Sequence, residues 1–392
     1  MSDGKKTILY LMEYPIDLAG GGQESTKTLC AGLASSDEFE PVVACPDLLS
    51  TNVSDYSFRI VTYPSDENRE LSKIRRITNF IARIRHFGRI IRAVKPDLIH
   101  VSMSESLITF AFLRVPGFFS NIPFVYTDRG LCYGYRKHSK TVIKSVIKRA
   151  ERMLTTTEFN ASLWRKEISA PITVIPNTIS VAFSDYDPSK RDELRKKHGV
   201  ADGELVIGFA GRISEEKDWG KVPGVVKALK DAKLLFKVAL VMSVYEDRDA
   251  QISRSVRDGI ISSTGSENLI YMQDLNQKEM SQYYYLVDIF IMTSCFESFG
   301  KAAVEAMSRK CVVLSTPVGG LPEVIGNKDD LYDMNDLKKL TDRVSYYVHD
   351  PEAMERARCM YYDRYRNNYT VEKNIEGHAK LYREILGSRD ND

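Results

Sequence analysis

The sequence contains no apolar run close to the roughly eighteen residues that a membrane-spanning helix needs. Its N-terminus, MSDGKK followed by TILYLM, lacks the longer apolar stretch and the cleavage site of a secretory signal peptide. The six cysteines, at positions 30, 45, 132, 295, 311 and 359, form no Cys-x-x-Cys pair and no Cys/His cluster. The sequence therefore predicts neither a disulfide framework nor a zinc site, and we expect a cytoplasmic protein.

A large excess of one charge sign is also absent. The 392 residues include 55 Lys and Arg against 53 Asp and Glu, a formal net charge of +2, which argues against a dedicated polyanion binder. The charge is nevertheless uneven. Residues 73–152 contain 17 basic and only four acidic residues, a net charge of +13, and the rest of the chain carries −11.

Within this basic region, residues 73–95 read KIRRITNFIARIRHFGRIIRAVK, with isoleucines near helical spacing and arginines around them. This pattern predicts a basic amphipathic helix. One explanation is an ordinary core-facing helix with a charged, solvated face. Another is attraction to an anionic membrane surface or an anionic acceptor. We expect no nucleic-acid partner, because the sequence shows no binding module and no interleaved aromatic residues.

Short apolar, β-rich runs alternate with helical patterns throughout, which predicts an α/β fold with parallel sheets. The predicted strands form two series, at residues 7–12, 41–45, 59–63, 97–102, 124–127 and 153–157, and at residues 205–210, 235–242, 269–272, 289–293 and 311–315. A polar segment, 177–204, separates them, and helical patterns follow at 334–349, 351–366 and 371–386. We expect two doubly wound domains, residues 1–180 and 181–370, and a C-terminal helix, 371–392, that packs back on the first domain.

The most informative segment is TSCFESFGKAAVEAMSRKCVVLSTPVGGLPEVIG, residues 293–326. A strand ends at its start, Glu297 lies in the following loop, and a helix is predicted to begin around Phe299 to Lys301. The free N–H groups of that helix start suit a diphosphate. Glu305, eight positions after Glu297, lies one to two turns into the helix, where both carboxylates could accept hydrogen bonds from sugar hydroxyls. Two acids eight apart also arise by chance.

Two further segments follow the first strand of each series. FAGRISEEKDW, residues 209–219, places Arg212 and Lys217 at the carboxyl end of a strand, where an open α/β sheet binds its ligand and where both could hold phosphate oxygens. They could equally be solvated loop residues. LAGGGQESTKT, residues 18–28, carries Gly21 and Gly22 before a helix predicted to start near Gln23. These glycines permit close backbone approach to a ligand, or merely pack a helix on a sheet.

Together, and in this order, these segments resemble the GT-B fold retaining glycosyltransferases of family 4, also called glycosyl transferases group 1. The resemblance covers nearly the whole chain and implies two Rossmann-like domains facing a central cleft, with the nucleotide-sugar donor in the second domain and the acceptor in the first. The family's E-x7-E motif matches Glu297 and Glu305, so the resemblance implies that Glu297 holds donor-sugar hydroxyls and Glu305 the ribose. It also implies that Arg212 and Lys217 bind the diphosphate. The remaining donor-binding residues implied by the resemblance are Gly21, Gly22, Ser298, Phe299, Gly300 and Lys301.

The chain departs from the family in two places. Ile175, Pro176 and Asn177 match the family's IPNG, but Thr178 replaces the glycine. In the loop after strand 124–127, Arg129 occupies the place of the family's frequent histidine, and a guanidinium cannot act as a base at neutral pH. This leaves Asp128 as a candidate catalytic contact to donor or acceptor, with Arg129 free to pair with it or to bind an acceptor phosphate. His100 we expect to be structural.

The resemblance implies transfer of a sugar, with retention, from a UDP-, GDP- or dTDP-linked donor to a saccharide hydroxyl. We expect catalytic roles for Glu297, Arg212, Lys217 and Asp128. No cofactor or metal is expected, because basic residues can stabilise the leaving diphosphate and the two Asp-x-Asp triplets at 185–187 and 247–249 recur by chance. The basic first domain suggests a lipid-linked acceptor at the inner face of a membrane, in capsule or cell-wall assembly. The alternatives are a nucleotide-sugar epimerase and a non-catalytic carbohydrate-binding protein.

Overall fold

The computed structural model describes residues 4–18, 20–65 and 73–389. The chain divides into two compact units, which we call unit 1, residues 1–177 with 371–392, and unit 2, residues 178–370. The division between the units falls at Asn177, three positions before the end of the predicted first domain. Each unit contains one parallel sheet with helices between its strands, so the predicted α/β class is confirmed.

The sheet of unit 1 has the order β3-β2-β1-β4-β5-β6-β7, and all its neighbouring strands are parallel. Its strands are β1 (Lys6–Leu11), β2 (Phe39–Pro46), β3 (Arg59–Tyr63), β4 (Leu98–Val101), β5 (Phe124–Asp128), β6 (Arg152–Thr155) and β7 (Ile172–Val174). All six predicted strands are present. Sequence analysis missed β7, because an edge strand of three half-buried residues has too short an apolar run to recognise.

Five helices connect these strands. They are α1 (Gly21–Ala34), α2 (Lys73–Val94), α3 (Ser104–Arg114), α4 (Lys137–Ile147) and α5 (Glu158–Arg165). The predicted amphipathic helix is α2. Its C-terminal half buries Phe87, Ile90 and Ile91 in the core of unit 1. Its N-terminal half differs, since Ile77 and Ile81 are 61% and 42% exposed.

The sheet of unit 2 has the order β10-β9-β8-β11-β12, again all parallel. Its strands, all predicted, are β8 (Val206–Arg212), β9 (Lys237–Ser243), β10 (Leu269–Gln273), β11 (Ile289–Met292) and β12 (Val312–Ser315). Its helices are α6 (Pro188–Lys197), α7 (Val222–Asp231), α8 (Asp247–Thr264), α9 (Gln277–Leu286), α10 (Lys301–Ser308), α11 (Leu321–Ile325), α12 (Lys338–His349) and α13 (Pro351–Asn368). Every residue of β11 and β12 is buried, because helices cover both faces of the sheet.

The chain then returns to unit 1 as α14 (Val371–Arg389). Helix α14 packs against α1, and the approach is so close that a Cβ atom on Gly32 would lie 2.0 Å from Ile375 Cδ1. The hydroxyl of Tyr382 hydrogen-bonds to Tyr10 Oη at 2.8 Å and to His100 Nδ1 at 2.5 Å. These buried contacts fix α14 on β1 and β4, and they give His100 a structural position.

Candidate functional site

The strand order of unit 2 locates a ligand-binding crevice. From β8 the chain proceeds through β9 to β10 on one side of the sheet, whereas β11 and β12 lie on the other side. Strands β8 and β11 are therefore neighbours whose following loops turn in opposite directions. In open α/β sheets this switch point, at the carboxyl ends of the strands, is where ligands bind. The β8 loop contains Lys217, and the β11 loop contains Glu297.

The side chains of these two residues meet at the switch point. Lys217 Nζ lies 2.6 Å from Glu297 Oε2, and the two side chains are 23% and 17% exposed. The backbones of the loops are also tied together. Thr293 Oγ1 donates to the carbonyl of Lys217 at 2.8 Å, and Cys295 N donates to the carbonyl of Glu216 at 2.9 Å. The pair is thus held in place by the loops that carry it.

Arg212, the last residue of β8, is exposed beside this pair. Its carbonyl accepts a 3.0 Å hydrogen bond from Trp219 Nε1, which fixes the backbone of the loop. Its guanidinium makes no hydrogen bond or ion pair with any residue that the structure describes. A cavity of about 520 Å³ adjoins the same loop and is lined by residues of the 213–220 segment and of α8. Arg212 can therefore reach a ligand without first breaking a protein contact.

Helix α10 begins beside Glu297 because of one glycine. Gly300, which precedes the helix, has φ +95°, and a Cβ atom there would lie 2.5 Å from Leu321 Cδ2. A larger residue would meet both backbone strain and a steric clash. Helix α10 thus has its N-terminus beside Glu297, and the positive end of a helix attracts an anion. Phe299 is buried with its ring packed edge-on against Tyr369, so it can offer only its backbone to a ligand, and Ser298 before it is half-buried.

Glu305 is the fifth residue of α10 and is half-buried. Its Oε2 atom accepts a 3.1 Å hydrogen bond from the hydroxyl of Tyr284, a buried residue of α9. Burial and the nearby carboxylate raise the pKa of Tyr284 well above its usual value, so the phenol remains a hydrogen-bond donor to Glu305. The tyrosine thereby fixes the orientation of this carboxylate.

Asp128 does not have the position expected of a catalytic residue. It is completely buried, and its Oδ2 atom accepts hydrogen bonds from Trp164 Nε1 at 2.6 Å and Asn160 Nδ2 at 2.9 Å. Its Oδ1 atom accepts from the hydroxyls of Tyr126 and Tyr135 and from the backbone N–H of Gly130. Five protein groups thus occupy both oxygens, an arrangement that favours a structural role, and the expected contact to donor or acceptor stays a prediction.

The glycine segment and Arg129 lie in unit 1. Gly21 and Gly22 are the first residues of α1, which therefore starts two residues before the predicted position near Gln23. Arg129 follows β5, and its Nη1 atom donates to Asn177 Oδ1 at 3.1 Å. It does not form the ion pair with Asp128 that the sequence left open, because the carboxylate is occupied by other groups.

Glu13, which sequence analysis missed, lies at the switch point of unit 1. It follows β1, and it accepts a hydrogen bond from Ser106 Oγ of α3, the helix that follows the neighbouring strand β4. Glu13 is 2% exposed, and burial, reinforced by Glu105, raises its pKa to about 8. Its carboxyl group is therefore largely protonated at neutral pH. The sequence feature that could have identified Glu13 is its position directly after the predicted strand 7–12.

Both Asp-x-Asp triplets have structural roles at helix starts. Asp187 Oδ1 accepts from Ser189 N at 3.0 Å and caps α6. Asp249 Oδ2 accepts from the N–H groups of Tyr245 and Glu246 and caps α8. Side-chain caps of this kind satisfy backbone N–H groups that the helix leaves unpaired. One aspartate of each triplet, Asp187 or Asp249, therefore has a local structural role.

Comparison with known protein families agrees with this geometry. The family described as Glycosyl transferases group 1 matches residues 190–364, and Glycosyltransferase Family 4 matches residues 19–183. The two matches follow one another along the chain, and the match to residues 190–364 includes Lys217 and Glu297 at the switch point of unit 2. The chain belongs to this glycosyltransferase family.

Curated relatives of this family 4 chain include glycosyltransferases with different names. The 2-deoxystreptamine glucosyltransferase of Streptomyces kanamyceticus is 28% identical over 46% of this chain and 46% of its own length. The D-inositol 3-phosphate glycosyltransferase of Mycolicibacterium smegmatis is 24% identical over 60% of this chain and 54% of its own. An uncharacterized 41.2 kDa protein in the cps region of Klebsiella pneumoniae is 23% identical over 76% and 80%. The chain therefore spans about half the length of the Streptomyces and Mycolicibacterium relatives.

Solved structures show the same GT-B fold. A glycosyltransferase from Rickettsia africae superposes with a TM-score of 0.78 at 18% identity, over 97% of this chain and 99% of that one. HepE of Anabaena in complex with UDP and glucose superposes with a TM-score of 0.75 at 14% identity, over 96% and 98%. At these identities the likeness establishes the fold of the family 4 chain. No helix in the described part of the chain is both long and apolar enough to cross a membrane.

Proposed function

We propose that this chain is a retaining glycosyltransferase that transfers a sugar from a nucleoside diphosphate sugar to a hydroxyl of a saccharide acceptor. The observation that carries the proposal is the contact of Lys217 with Glu297, 2.6 Å apart at the switch point of unit 2 and next to the start of α10. A cation, a carboxylate and a helix N-terminus in one place suit the diphosphate and the hydroxyls of a sugar nucleotide. HepE, with the same fold, binds UDP and glucose.

In this proposal the bond between the sugar's anomeric carbon and the diphosphate oxygen breaks, and the electron pair leaves with the diphosphate. Arg212, Lys217 and the N–H groups at the start of α10 stabilise the developing negative charge. The acceptor oxygen forms the new bond to the anomeric carbon on the face that the leaving group vacates. Its proton passes to an oxygen of the departing phosphate. In this mechanism the departing phosphate takes the place of a protein base, which agrees with the buried, fully hydrogen-bonded position of Asp128.

Glu297 has a second task in this mechanism. When the donor is absent, its carboxylate pairs with Lys217. When the diphosphate binds, the ammonium group of Lys217 can turn to the phosphate, which leaves Glu297 Oε2 to accept hydrogen bonds from sugar hydroxyls. Glu305, held by Tyr284, would accept a hydrogen bond from the ribose. Donor binding thus replaces the ion pair between Lys217 and Glu297 by two contacts, one from Lys217 to phosphate and one from sugar hydroxyls to Glu297.

Ligand-induced thermal stabilisation tests the proposal directly. We expect a UDP-, GDP- or dTDP-sugar to raise the Tm of the wild-type chain, and Lys217→Met to abolish that shift. Lys227→Met is the matched control, because Lys227 is an exposed lysine of the same unit that pairs only with Asp231. The absence of a shift with every nucleotide sugar would contradict the proposal. Conversion of the donor to its epimer without an acceptor would indicate the epimerase alternative, and unchanged biological activity of Lys217→Met would indicate a non-catalytic protein.

We further propose that the acceptor is lipid-linked, as in capsule or cell-wall assembly, and that unit 1 contacts an anionic membrane at the cytoplasmic face. Ile77, Ile81, Arg85 and Arg89 recur every four residues along α2, and all four are exposed. The ring of Phe80 contacts Phe112 of α3, itself 53% exposed. Apolar residues beside arginines are the composition of a helix that lies on a membrane surface. The net charge of +13 over residues 73–152 adds long-range attraction.

Vesicle co-sedimentation tests this second proposal. The wild-type chain should bind vesicles that contain anionic phospholipid and not purely zwitterionic vesicles. Both Arg85→Gln/Arg89→Gln and Ile77→Ser/Ile81→Ser should weaken binding, whereas Lys196→Gln/Lys197→Gln, an exposed pair on α6 of unit 2, should not. Equal binding by all three double variants would contradict a membrane role for α2.

A further inference from the structure

Arg129 is a cation without an anionic partner in unit 1. It is partly buried, and its one hydrogen bond joins Nη1 to Asn177 Oδ1 at 3.1 Å. Its Nε atom is buried and has no hydrogen-bond partner. No carboxylate among the described residues forms an ion pair with it, and the adjacent Asp128 is occupied by five other groups. The positive charge is therefore not balanced within the described part of the chain.

The ionisable groups with the strongest electrostatic effects on Arg129 are buried and neutral at physiological pH. Burial raises the pKa of the phenols and the thiol and lowers the pKa of the histidines, that of His378 to about 4. These neighbours come from β1, α1, β4 and α14, namely Tyr10, Cys30, His100, His378 and Tyr382. Burial lowers the pKa of Arg129 itself to about 10, so it keeps its charge at neutral pH. A partly buried charge in neutral surroundings lowers stability unless an anion compensates it.

Arg129 lies beside the first turn of α1. Its Cδ atom lies 3.7 Å from the position that a Cβ atom on Gly22 would occupy, so the side chain passes across the first turn of α1. Its Nη2 atom has no protein partner among the described residues and is not fully buried. The guanidinium thus retains one edge from which it can donate to an oxyanion.

We propose that Arg129 binds an oxyanion, a phosphate or a carboxylate, on the substrate that unit 1 receives. This assignment rests on the proposed function and specifies its substrate class. A charged group on the acceptor, or a carboxylate on the transferred sugar, would place its oxygens at the free edge of the guanidinium. A neutral substrate would leave the charge of Arg129 uncompensated. Arg129 is therefore a specificity-determining residue for an anionic substrate.

Thermal unfolding in inorganic phosphate, compared with chloride at equal ionic strength, tests the anion site without any knowledge of the substrate. Phosphate should raise the Tm of the wild-type chain, and Arg129→Gln should remove that increase. In chloride, Arg129→Gln should melt no lower than the wild type, because it removes an uncompensated charge. Arg149→Gln, an exposed arginine of the same unit, is the control and should respond like the wild type. If Arg129→Gln does not fold, Arg129→Lys, which keeps the charge, should retain a reduced response.

A purely structural Arg129 gives the opposite pattern, in which Arg129→Gln melts lower in chloride and its response to phosphate equals that of the wild type. That result would overturn the proposal. The nucleotide-sugar shift that depends on Lys217 is measured separately. If that shift is absent while the phosphate response depends on Arg129, the proposed function fails and the anion site stands. If the nucleotide-sugar shift is present but the phosphate response does not depend on Arg129, only the anion site is overturned.

Steady-state kinetics then identify the source of the oxyanion. If it belongs to the donor, Arg129→Gln should lose at least tenfold in kcat/KM with a uronate nucleotide sugar and much less with its neutral counterpart. If it belongs to the acceptor, the same loss should separate phosphorylated from dephosphorylated acceptors. An equal effect of the variant on charged and neutral substrates of both kinds would contradict a role in substrate selection.

Discussion

Lys217 Nζ and Glu297 Oε2 lie 2.6 Å apart, although 80 positions separate the two residues in the sequence. They follow β8 and β11, strands that become neighbours only in the folded sheet. The pair has two consequences. It holds the two loops in one arrangement, and under the proposed function it separates when the diphosphate of the donor attracts Lys217.

A double-mutant cycle on this pair should show that separation. In measurements without nucleotide, Lys217→Met and Glu297→Gln should be coupled by about 0.5–1 kcal/mol of unfolding free energy, since both side chains are partly screened by water. Saturating UDP should reduce the coupling, because Lys217 then contacts phosphate. Urea unfolding of the four proteins with and without UDP measures both values. A coupling that UDP leaves unchanged would contradict the exchange.

The same lysine should dominate catalysis. We expect Lys217→Met to lower kcat/KM by about 10²–10³-fold, as removal of one preorganised group at a developing charge does in other enzymes. Lys227→Met, which alters an exposed ion pair, should stay near wild-type activity. Initial rates with the identified donor measure both. A loss of less than threefold for Lys217→Met would remove Lys217 from the mechanism.

Asp128→Ala should reduce stability and spare the chemistry. The substitution leaves the buried donors of Trp164, Asn160 and Tyr126 without their acceptor, which should cost about 3 kcal/mol of unfolding free energy. Activity per folded molecule should remain close to that of the wild type. Urea unfolding and activity measured at low temperature separate the two effects. A stable but inactive variant would restore Asp128 as a catalytic residue.

Glu13 should make stability depend on pH. Burial raises its folded pKa from 4.5 to about 8, so the folded chain holds a proton that the unfolded chain releases between these values. The contribution of Glu13 to the unfolding free energy is therefore fully present below pH 4.5. It falls by about 1.4 kcal/mol per pH unit up to pH 8. Glu13→Gln should remove that slope. The unfolding free energy of the variant should therefore rise relative to that of the wild type from pH 5 to pH 8. The exposed Glu372→Gln is the control, and parallel pH curves for Glu13→Gln and the wild type would refute the shift.

The contact of α14 with β1 and β4 depends on one hydroxyl. Tyr382→Phe removes hydrogen bonds to Tyr10 and His100 from a buried position and should cost about 2 kcal/mol of unfolding free energy. Tyr346→Phe, at a 44% exposed position of α12, should cost much less. Hydrogen exchange should show faster opening of α14 in the first variant only. Unchanged exchange there would mean that apolar packing alone holds the helix.

Much of the architecture follows from local sequence. Eleven strands and the helices α2, α12, α13 and α14 were predictable, because apolar runs and helical periodicity in each segment agree with the tertiary environment. The start of α10 at Gly300 is another local feature, since few residues other than glycine adopt φ +95°. The motif spacing likewise placed Lys217 and Glu297 at strand ends, and so pointed to unit 2 as the donor side.

The tertiary structure alone decided what three charged residues of unit 1 do. Asp128 is structural because its hydrogen-bond donors come from β5, α5 and the intervening loop, which no local pattern brings together. Glu13 is protonated because folding buries it against α3. Arg129 forms no ion pair with the residues that the structure describes, because the carboxylate of Asp128 is occupied by other groups. Sequence fixes which charges are present, but burial and partner geometry, set by distant segments, fix their protonation and their availability to a ligand.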